Sequence, residues 1–319
     1  MVNHSHLTRG YVIALASAAV LSLTAIFIRH LTQAYQLPAL VLAFWRDTFV
    51  ALTLLPALAF NRILSLRIER RDVLYLIAYG LVLALFNSLW TLAVALNGAA
   101  IATVLVYCSG AFTALLGWWL LKEHLDAIKL VVVAITLIGC ALVADALDPA
   151  AWRTNVFGIF TGIFSGLGYA GYSLLGRSAS QRGLNPWTTL FYTFAFAALF
   201  LLMFNLIPGQ IIPGAATTPR DLLWLGTALD GWAILFLLAA GPTVFGFGLY
   251  NVSLTYLPSS VANLVVTLEP AFTAVIAYIL LGERLTAIQI GGSGLILGGV
   301  VLLRVSEEWL SRQTQPSRA

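Results

Sequence analysis

The sequence predicts an all-α polytopic membrane protein: ten transmembrane helices in two inverted five-helix repeats, with the N- and C-termini cytoplasmic. Three observations carry this expectation. Of 319 residues, 60% are hydrophobic and only 9% are charged, whereas soluble domains carry roughly 25% charged residues. A chain of this length would otherwise make about two soluble domains, but so few charges cannot cover their surfaces. Apolar runs long enough for a hydrocarbon core of about 30 Å, which takes roughly 20 helical residues, recur ten times. The two halves of the chain also align on each other.

The runs fall at approximately 10–32, 38–60, 72–96, 99–121, 127–146, 155–177, 186–207, 231–256, 258–281 and 286–304. The joins "LNGA" at 96–99 and "YLPS" at 256–259 leave room only for tight hairpins, while the longest polar connection, 208–231, has room for a short surface helix. "ALASA" in the first run resembles a signal-peptide cleavage site, but the apolar stretch continues to Ile28, longer than a typical signal core, so cleavage is not expected. The nine Trp and eleven Tyr fit aromatic belts at two membrane interfaces.

Orientation follows from the positive-inside rule. With the N-terminus inside, the inner loops and tails collect Arg9, Arg62, Arg67, Arg70, Arg71, Lys122, Lys129, Arg177, Arg182, Arg304, Arg312 and Arg318. The outer side keeps Arg29, Arg153, Arg220 and Arg284, and Arg46 lies within a span. Both termini are therefore expected in the cytoplasm; the expected location is a bacterial-type inner (plasma) membrane.

"GAFTALLGWWLLKEHLDAIKL" (110–130) aligns without a gap on "PAFTAVIAYILLGERLTAIQI" (270–290), an offset of 160. "SAAVLSLTAIFIRHLTQAYQLP" (17–38) aligns on "SGLGYAGYSLLGRSASQRGLNP" (165–186), an offset of 148, so an insertion belongs in the 208–231 loop. The chain divides into 1–150 and 151–319, each with five spans. Because five is odd, the second half enters the membrane from the opposite side. Inverted halves of this kind characterise many secondary transporters, whose substrate site lies near mid-depth between them.

"LEPAFTAVIAYILLGERLTAIQIGGSGLILGGVVLL" (268–303) resembles the closing segment of the drug/metabolite transporter superfamily, in its EamA branch, and "PALVLAFWRDTFVAL" (38–52) resembles that family's second helix. The resemblance covers nearly the whole chain and is most like the bacterial aromatic amino-acid exporters. It implies efflux of small metabolites, amino acids including aromatic ones, through a central cavity. It also implies an Arg in this helix whatever the substrate, which favours a structural role for Arg46.

Charges inside a bilayer are costly and need internal partners or a wet cavity. Arg46 and Asp47 are adjacent, and neighbours on a helix point about 100° apart, so they are not expected to pair face to face and each is expected to find a partner on another helix or a water-filled space. Glu269 precedes Pro270, whose ring frees carbonyls that can line a cavity. It either binds a proton or a substrate ammonium, or is a neutral glutamic acid bonded to the broken helix. Glu123 and Glu283, matched by the repeat, sit at helix ends and are expected to have capping or loop roles. Substrate-contact candidates are the polar stripe Tyr79, Asn87 and Trp90, together with Thr103, Tyr107, Tyr250, Asn263 and Thr267. The repeat pairs Trp90 with Tyr250, Thr103 with Asn263, and Tyr107 with Thr267. The competing reading of each is ordinary helix packing, with hydroxyls bonded one turn back. Gly158, Gly162 and Gly166, and likewise Gly294 and Gly298, are read as close-packing faces, the last pair also as a dimer face.

Other classes find less support. The chain has no P-loop pattern and no H-E-x-x-H, and its histidines (His4, His6, His30, His124) sit at the tail or near span ends. No cofactor, metal or nucleic-acid partner is implied, and Cys108 and Cys140 read as small buried hydrophobes. An intramembrane enzyme or a scaffold is disfavoured; an exporter of drugs or lipids is the main alternative. The expected partners are a small-molecule substrate and membrane lipid, in a monomer or homodimer.

Overall fold

The computed structural model describes residues 4–60, 67–143, 156–207, 211–272, 275–276 and 286–313. Glu283 and Arg284, and the end of the ninth predicted span, lie outside them. In chain order the helices are α1 (His4–Leu21), α2 (Thr24–Ala34), α3 (Ala39–Phe60), α4 (Arg70–Val106), α5 (Ser109–Leu121), α6 (Ala127–Val143), α7 (Val156–Gln181) and α8 (Pro186–Leu206). Then come α9 (Leu229–Leu238), α10 (Val244–Tyr256), α11 (Ser259–Val266) and α12 (Ala287–Gln313). No strand occurs among the described residues.

Five of these segments are long and apolar enough to cross a membrane: Leu7–Ala34, Ala39–Ala59, Arg70–Asn97, Pro186–Leu206 and Leu229–Tyr256. Shorter apolar helices run over Ser109–Leu121, Ala127–Leu142 and Ile290–Leu303. Their side chains explain the choice of helix over sheet, since a single segment in lipid must satisfy its own backbone donors and acceptors. The chain is a multi-pass membrane protein. α7 has the length of a span but is rich in Gly, Ser and Tyr. It packs against α4, α5, α10 and α11, so much of its surface meets protein rather than lipid.

α4 is helical over 37 residues but is not straight. Phe86 lies against Gly168 of α7, and the carbonyl of Val106 lies against Gly166. A straight helix would hold residues 86 and 106 about 30 Å apart, whereas positions two apart on α7 are separated by about 3 Å. Between these contacts the Asn97 amide donates to the Gly158 carbonyl at 2.8 Å, at the start of α7. The chain therefore climbs one side of α7 to Asn97, turns, and descends another side, as the short "LNGA" join requires.

The same relationship recurs between α1 and α10–α11. Gly10 meets Leu257, and Leu21 meets Gly246. Shifted by the repeat offsets of 148 and 160, these pairs become Gly158 with Asn97 and Tyr169 with Phe86, which are also in contact. Each half thus lays its first helix against the third and fourth segments of the other.

Several helices are interrupted. α4 and α5 break at Tyr107–Cys108, and the chain after α11 breaks at Thr267–Leu268 before resuming as helix at 269–272. These breaks coincide under the offset of 160. Pro270, which cannot donate a backbone hydrogen bond, accounts for the second. α1 and α2 break at Ser22–Leu23, where no proline occurs. A π-turn at Ala239–Thr243 joins α9 to α10 around Pro242, and the Thr243 hydroxyl donates to the Leu238 carbonyl at 2.8 Å.

The insertion loop carries the expected short helix, a 3-10 turn at Pro219–Leu223. It is tied to the bundle by the Ala216 N–H on Asn205, by Trp45 donating to the Leu222 carbonyl, and by Trp224 donating to the Tyr35 carbonyl. Gly294 and Gly298 correct one expectation: among the described residues nothing lies within 4 Å of a Cβ built at either, so they are not close-packing faces against the described part of the chain. Gly162 and Gly166 do meet neighbours, Leu105 and the 105–109 backbone.

Candidate functional site

The interruptions at Ser22–Leu23, Tyr107–Cys108 and Thr267–Leu268 converge on one small cavity of about 40 Å³. Leu21 and Thr24 flank the first break and line it, as do Val106 and Tyr107 at the second and Glu269 after the third. Arg46 reaches it from α3, while Phe86, Asn87 and Trp90 reach it from α4. Tyr169 of α7 and Phe247 of α10 complete the wall. Broken helices near mid-membrane expose backbone and polar side chains only where they line a cavity.

Arg46 and Asp47 are fully enclosed, with side chains 1% and 0% exposed, and the Arg46 Nε lies 3.3 Å from Asp47 Oδ1. This corrects the expectation that adjacent residues cannot pair. Their Cβ atoms diverge, but the long arginine side chain curls back far enough to bring its Nε to the neighbouring carboxylate. Asp47 Oδ2 accepts the Asn87 amide at 2.7 Å, so Asp47 does also find a partner on another helix. A carboxylate can face only the NH2 of that amide, which fixes its orientation. Arg46 Nη2, Asn87 Oδ1 and Thr24 Oγ1 are buried without a hydrogen-bond partner.

Across the cavity the Tyr107 hydroxyl donates to Glu269 Oε2 at 2.7 Å. Glu269 stands at the first turn of the resumed helix, where the helix dipole favours a negative group. Phe86 and Tyr169 stack with centroids 5.1 Å apart, and Tyr169 in turn contacts Tyr250 at 5.6 Å.

Beside the cavity a second polar layer links four elements. Tyr250 shares a 2.7 Å hydrogen bond with the Ser173 hydroxyl, Asn263 donates to Ser173 at 3.3 Å, and Ser109 donates to Asn263 at 3.1 Å. Beyond it Glu123 accepts four hydrogen bonds from Ser259 and Ser260 at the start of α11. Of the capping and loop roles expected for Glu123, it has the capping one.

Of the predicted contact residues, the structure brings Asn87, Trp90 and Tyr107 together with Arg46 and Glu269 on the cavity. Tyr250 and Asn263 belong to the adjoining layer. Tyr79 stands apart, against the Tyr172 ring at 5.0 Å. Thr267 donates to the Leu264 carbonyl at 2.6 Å, one turn back. Thr103 is buried, and its carbonyl accepts the Tyr107 N–H at the helix break. Thr24, Phe86, Tyr169 and Phe247 line the cavity although the sequence did not single them out. The repeat register held a signal for two of them, since it pairs Tyr169 with Leu21 and Phe247 with Asn87, which also line the cavity, and none for Thr24 and Phe86. Cys108 and Cys140 are free thiols, the latter buried.

A helical membrane bundle whose broken helices meet at a small charged cavity has the form of a transporter. The EamA-like transporter family matches residues 8–144 and again 156–305, and the chain belongs to that family. It is similar to an uncharacterized transporter of Synechocystis sp., 31% identical over 224 residues, 70% of this chain and 64% of that protein. The chain thus spans a little less than two thirds of that relative's length. It is also similar to an uncharacterized transporter of Archaeoglobus fulgidus, 30% identical over 69% of this chain and 74% of that one. The threonine/homoserine exporter RhtA of Salmonella typhimurium is 28% identical over 243 residues, 76% of this chain and 74% of its own. A solved crystal structure shares the fold with a TM-score of 0.70 at 17% identity, covering 93% of this chain and 97% of that one.

Proposed function

We propose that this protein exports small metabolites, amino acids including aromatic ones, across the inner membrane by alternating access. On this reading residues 1–150 and 151–319 are inverted five-helix halves, giving ten spans with both termini cytoplasmic. The paired contacts Leu21–Gly246 and Tyr169–Phe86 support the inversion, and so does the repeated family match. Arg9, Arg177 and Arg182 gather near one end of the bundle, with Tyr256, Leu254 and Asp72, in keeping with that end facing the cytoplasm.

The observation that carries the proposal is the cavity where breaks from both halves converge, with Arg46 and Glu269 on its wall beside aromatic rings. Sites for small ligands are mostly apolar with a few placed polar groups, and typically hold about 300–1,000 Å³. At about 40 Å³ the cavity is contracted here, so transport requires its walls to part on one side at a time.

The test is counterflow of labelled phenylalanine, threonine and other amino acids into liposomes holding the purified protein, with and without an imposed proton gradient. Accumulation that Trp90→Ala abolishes supports the reading. A gradient response lost in Glu269→Gln adds proton coupling. No flux of any amino acid overturns the substrate assignment.

A further inference from the structure

We infer that the cavity recognises the head group of a free α-amino acid, with Arg46 and Thr24 taking the substrate carboxylate and Glu269 and Asn87 taking its ammonium. This rests on the reading of the protein as an amino-acid exporter and adds which residues recognise which end of the substrate.

The arginine has two kinds of donor, and only one is in use. Its Nε is held by Asp47 at 3.3 Å, while Nη2, on a side chain 1% exposed, has no partner. A buried guanidinium donor without an acceptor is expensive, and a carboxylate is the group that its planar geometry fits best. Thr24 Oγ1, on the same cavity, is also unpartnered and can donate to the same anion. Asp47 serves as counter-ion to Arg46 and as the acceptor that orients Asn87. Because the Asn87 amide nitrogen is committed to Asp47, its unpartnered Oδ1 can only accept. An ammonium supplies donors for that oxygen and for the Glu269 carboxylate, which Tyr107 holds in place through Oε2.

Charge decides among ligand classes. The groups facing the cavity or directly behind its wall are Arg46, Asp47 and Glu269, with the hydroxyls of Tyr107 and Tyr169. A phosphate ester would bring two negative charges toward two carboxylates. A cationic drug would meet Glu269 but leave Arg46 Nη2 and Thr24 Oγ1 without an acceptor. A ligand with both signs on one small framework meets both needs, and Phe86, Trp90 and Phe247 offer apolar rings to its side chain.

The experiment is competition of labelled L-phenylalanine counterflow in proteoliposomes by four analogues that each spoil one end. The methyl ester and phenethylamine lack the carboxylate; N-acetylphenylalanine and phenylpropionate lack the ammonium. All four are expected to compete at least ten-fold more weakly than phenylalanine. Arg46→Gln should erase the preference over the first pair and keep that over the second, and Glu269→Gln should do the reverse. Thr24→Val, a milder change on the carboxylate side, should narrow the first preference several-fold and keeps the test open where Arg46→Gln does not fold. Phenylalanine counterflow with analogues that compete as well as the parent overturns the head-group assignment and leaves the exporter reading standing. So does an Arg46 or Thr24 variant that weakens all ligands equally. Absence of counterflow for every amino acid overturns the exporter reading itself.

Discussion

Glu123 Oε1 accepts both the backbone N–H and the hydroxyl of Ser259, each at 2.7 Å. Its Oε2 takes the corresponding pair from Ser260, at 3.2 and 2.8 Å. One carboxylate thus joins the end of α5 to the start of α11, at the end of the bundle beyond the Tyr250–Ser173–Asn263 layer. Lys122, in the left-handed conformation at φ 57°, turns the chain so that Glu123 can reach. The repeat places Gly282 at the position of Lys122, and Ala99 and Ala100 at those of Ser259 and Ser260. The two serine hydroxyls are therefore special to this end.

Glu123→Ala is expected to cost about 2 kcal/mol, since hydrogen bonds to a charged group contribute roughly 1.5–3 kcal/mol each when well formed and less where water competes. Ser259→Ala, which leaves the backbone bond, should cost about 1 kcal/mol. Thermal unfolding of the purified protein in detergent measures both. Equal stability of Glu123→Ala and the native protein would show that the clamp adds nothing.

Asp47→Ala removes the counter-ion of a buried arginine and should destabilise by about 3–5 kcal/mol. The double variant Arg46→Met, Asp47→Leu removes both charges and should recover most of that loss while transport stays absent. Unfolding of the two variants side by side checks this. A double variant as unstable as Asp47→Ala would assign the cost to packing rather than to the unpaired charge.

Gly166 sits where α7 crosses the α4–α5 break, and a Cβ there would come 2.9 Å from the Val106 carbonyl and 3.2 Å from the Ser109 nitrogen. Both are backbone atoms and cannot swing aside. Gly166→Ala is expected to cost about 1–3 kcal/mol. Gly298→Ala, with no described residue within 4 Å of the added Cβ, should be neutral or slightly stabilising through helix propensity. The pair is compared by thermal midpoint in the same detergent.

Asp221 in the insertion loop accepts from the Thr217 hydroxyl, the Thr217 N–H and the Thr218 N–H. These bonds, led by the Thr217 hydroxyl, hold its carboxyl below the usual carboxylate range. A lowered folded pKa means that this ordering is present above the unfolded value, about 3.9, and is lost as pH falls through the lower folded value. The loop should therefore loosen only in strong acid. The signal of 5-fluorotryptophan at Trp224, assigned with Trp224→Phe, should move in that range, and Asp221→Asn should abolish the transition.

Helix existence was legible because lipid leaves a single segment few alternatives, and apolar runs such as 38–60 and 186–207 map onto α3 and α8 to within a residue. The hairpin at Asn97 was legible from the shortness of its join. Proline marked the break before Glu269, but nothing local marks the one at Ser22–Leu23. The i,i+1 rule misjudged Arg46 and Asp47 because it follows Cβ directions and ignores how far a guanidinium can curl back.

The sequence by itself determined the solvent, the helical segments and the internal repeat, since these depend on composition and on register along one chain. It also singled out Arg46, Asp47 and Glu269, because charge in lipid is costly wherever it stands. Only the tertiary structure decided that Arg46, Asn87, Tyr107 and Glu269 share one cavity while Tyr79 does not. Which donor of Arg46 is committed and which is left over depends on distances across helices far apart in sequence, and periodicity carries no record of those distances.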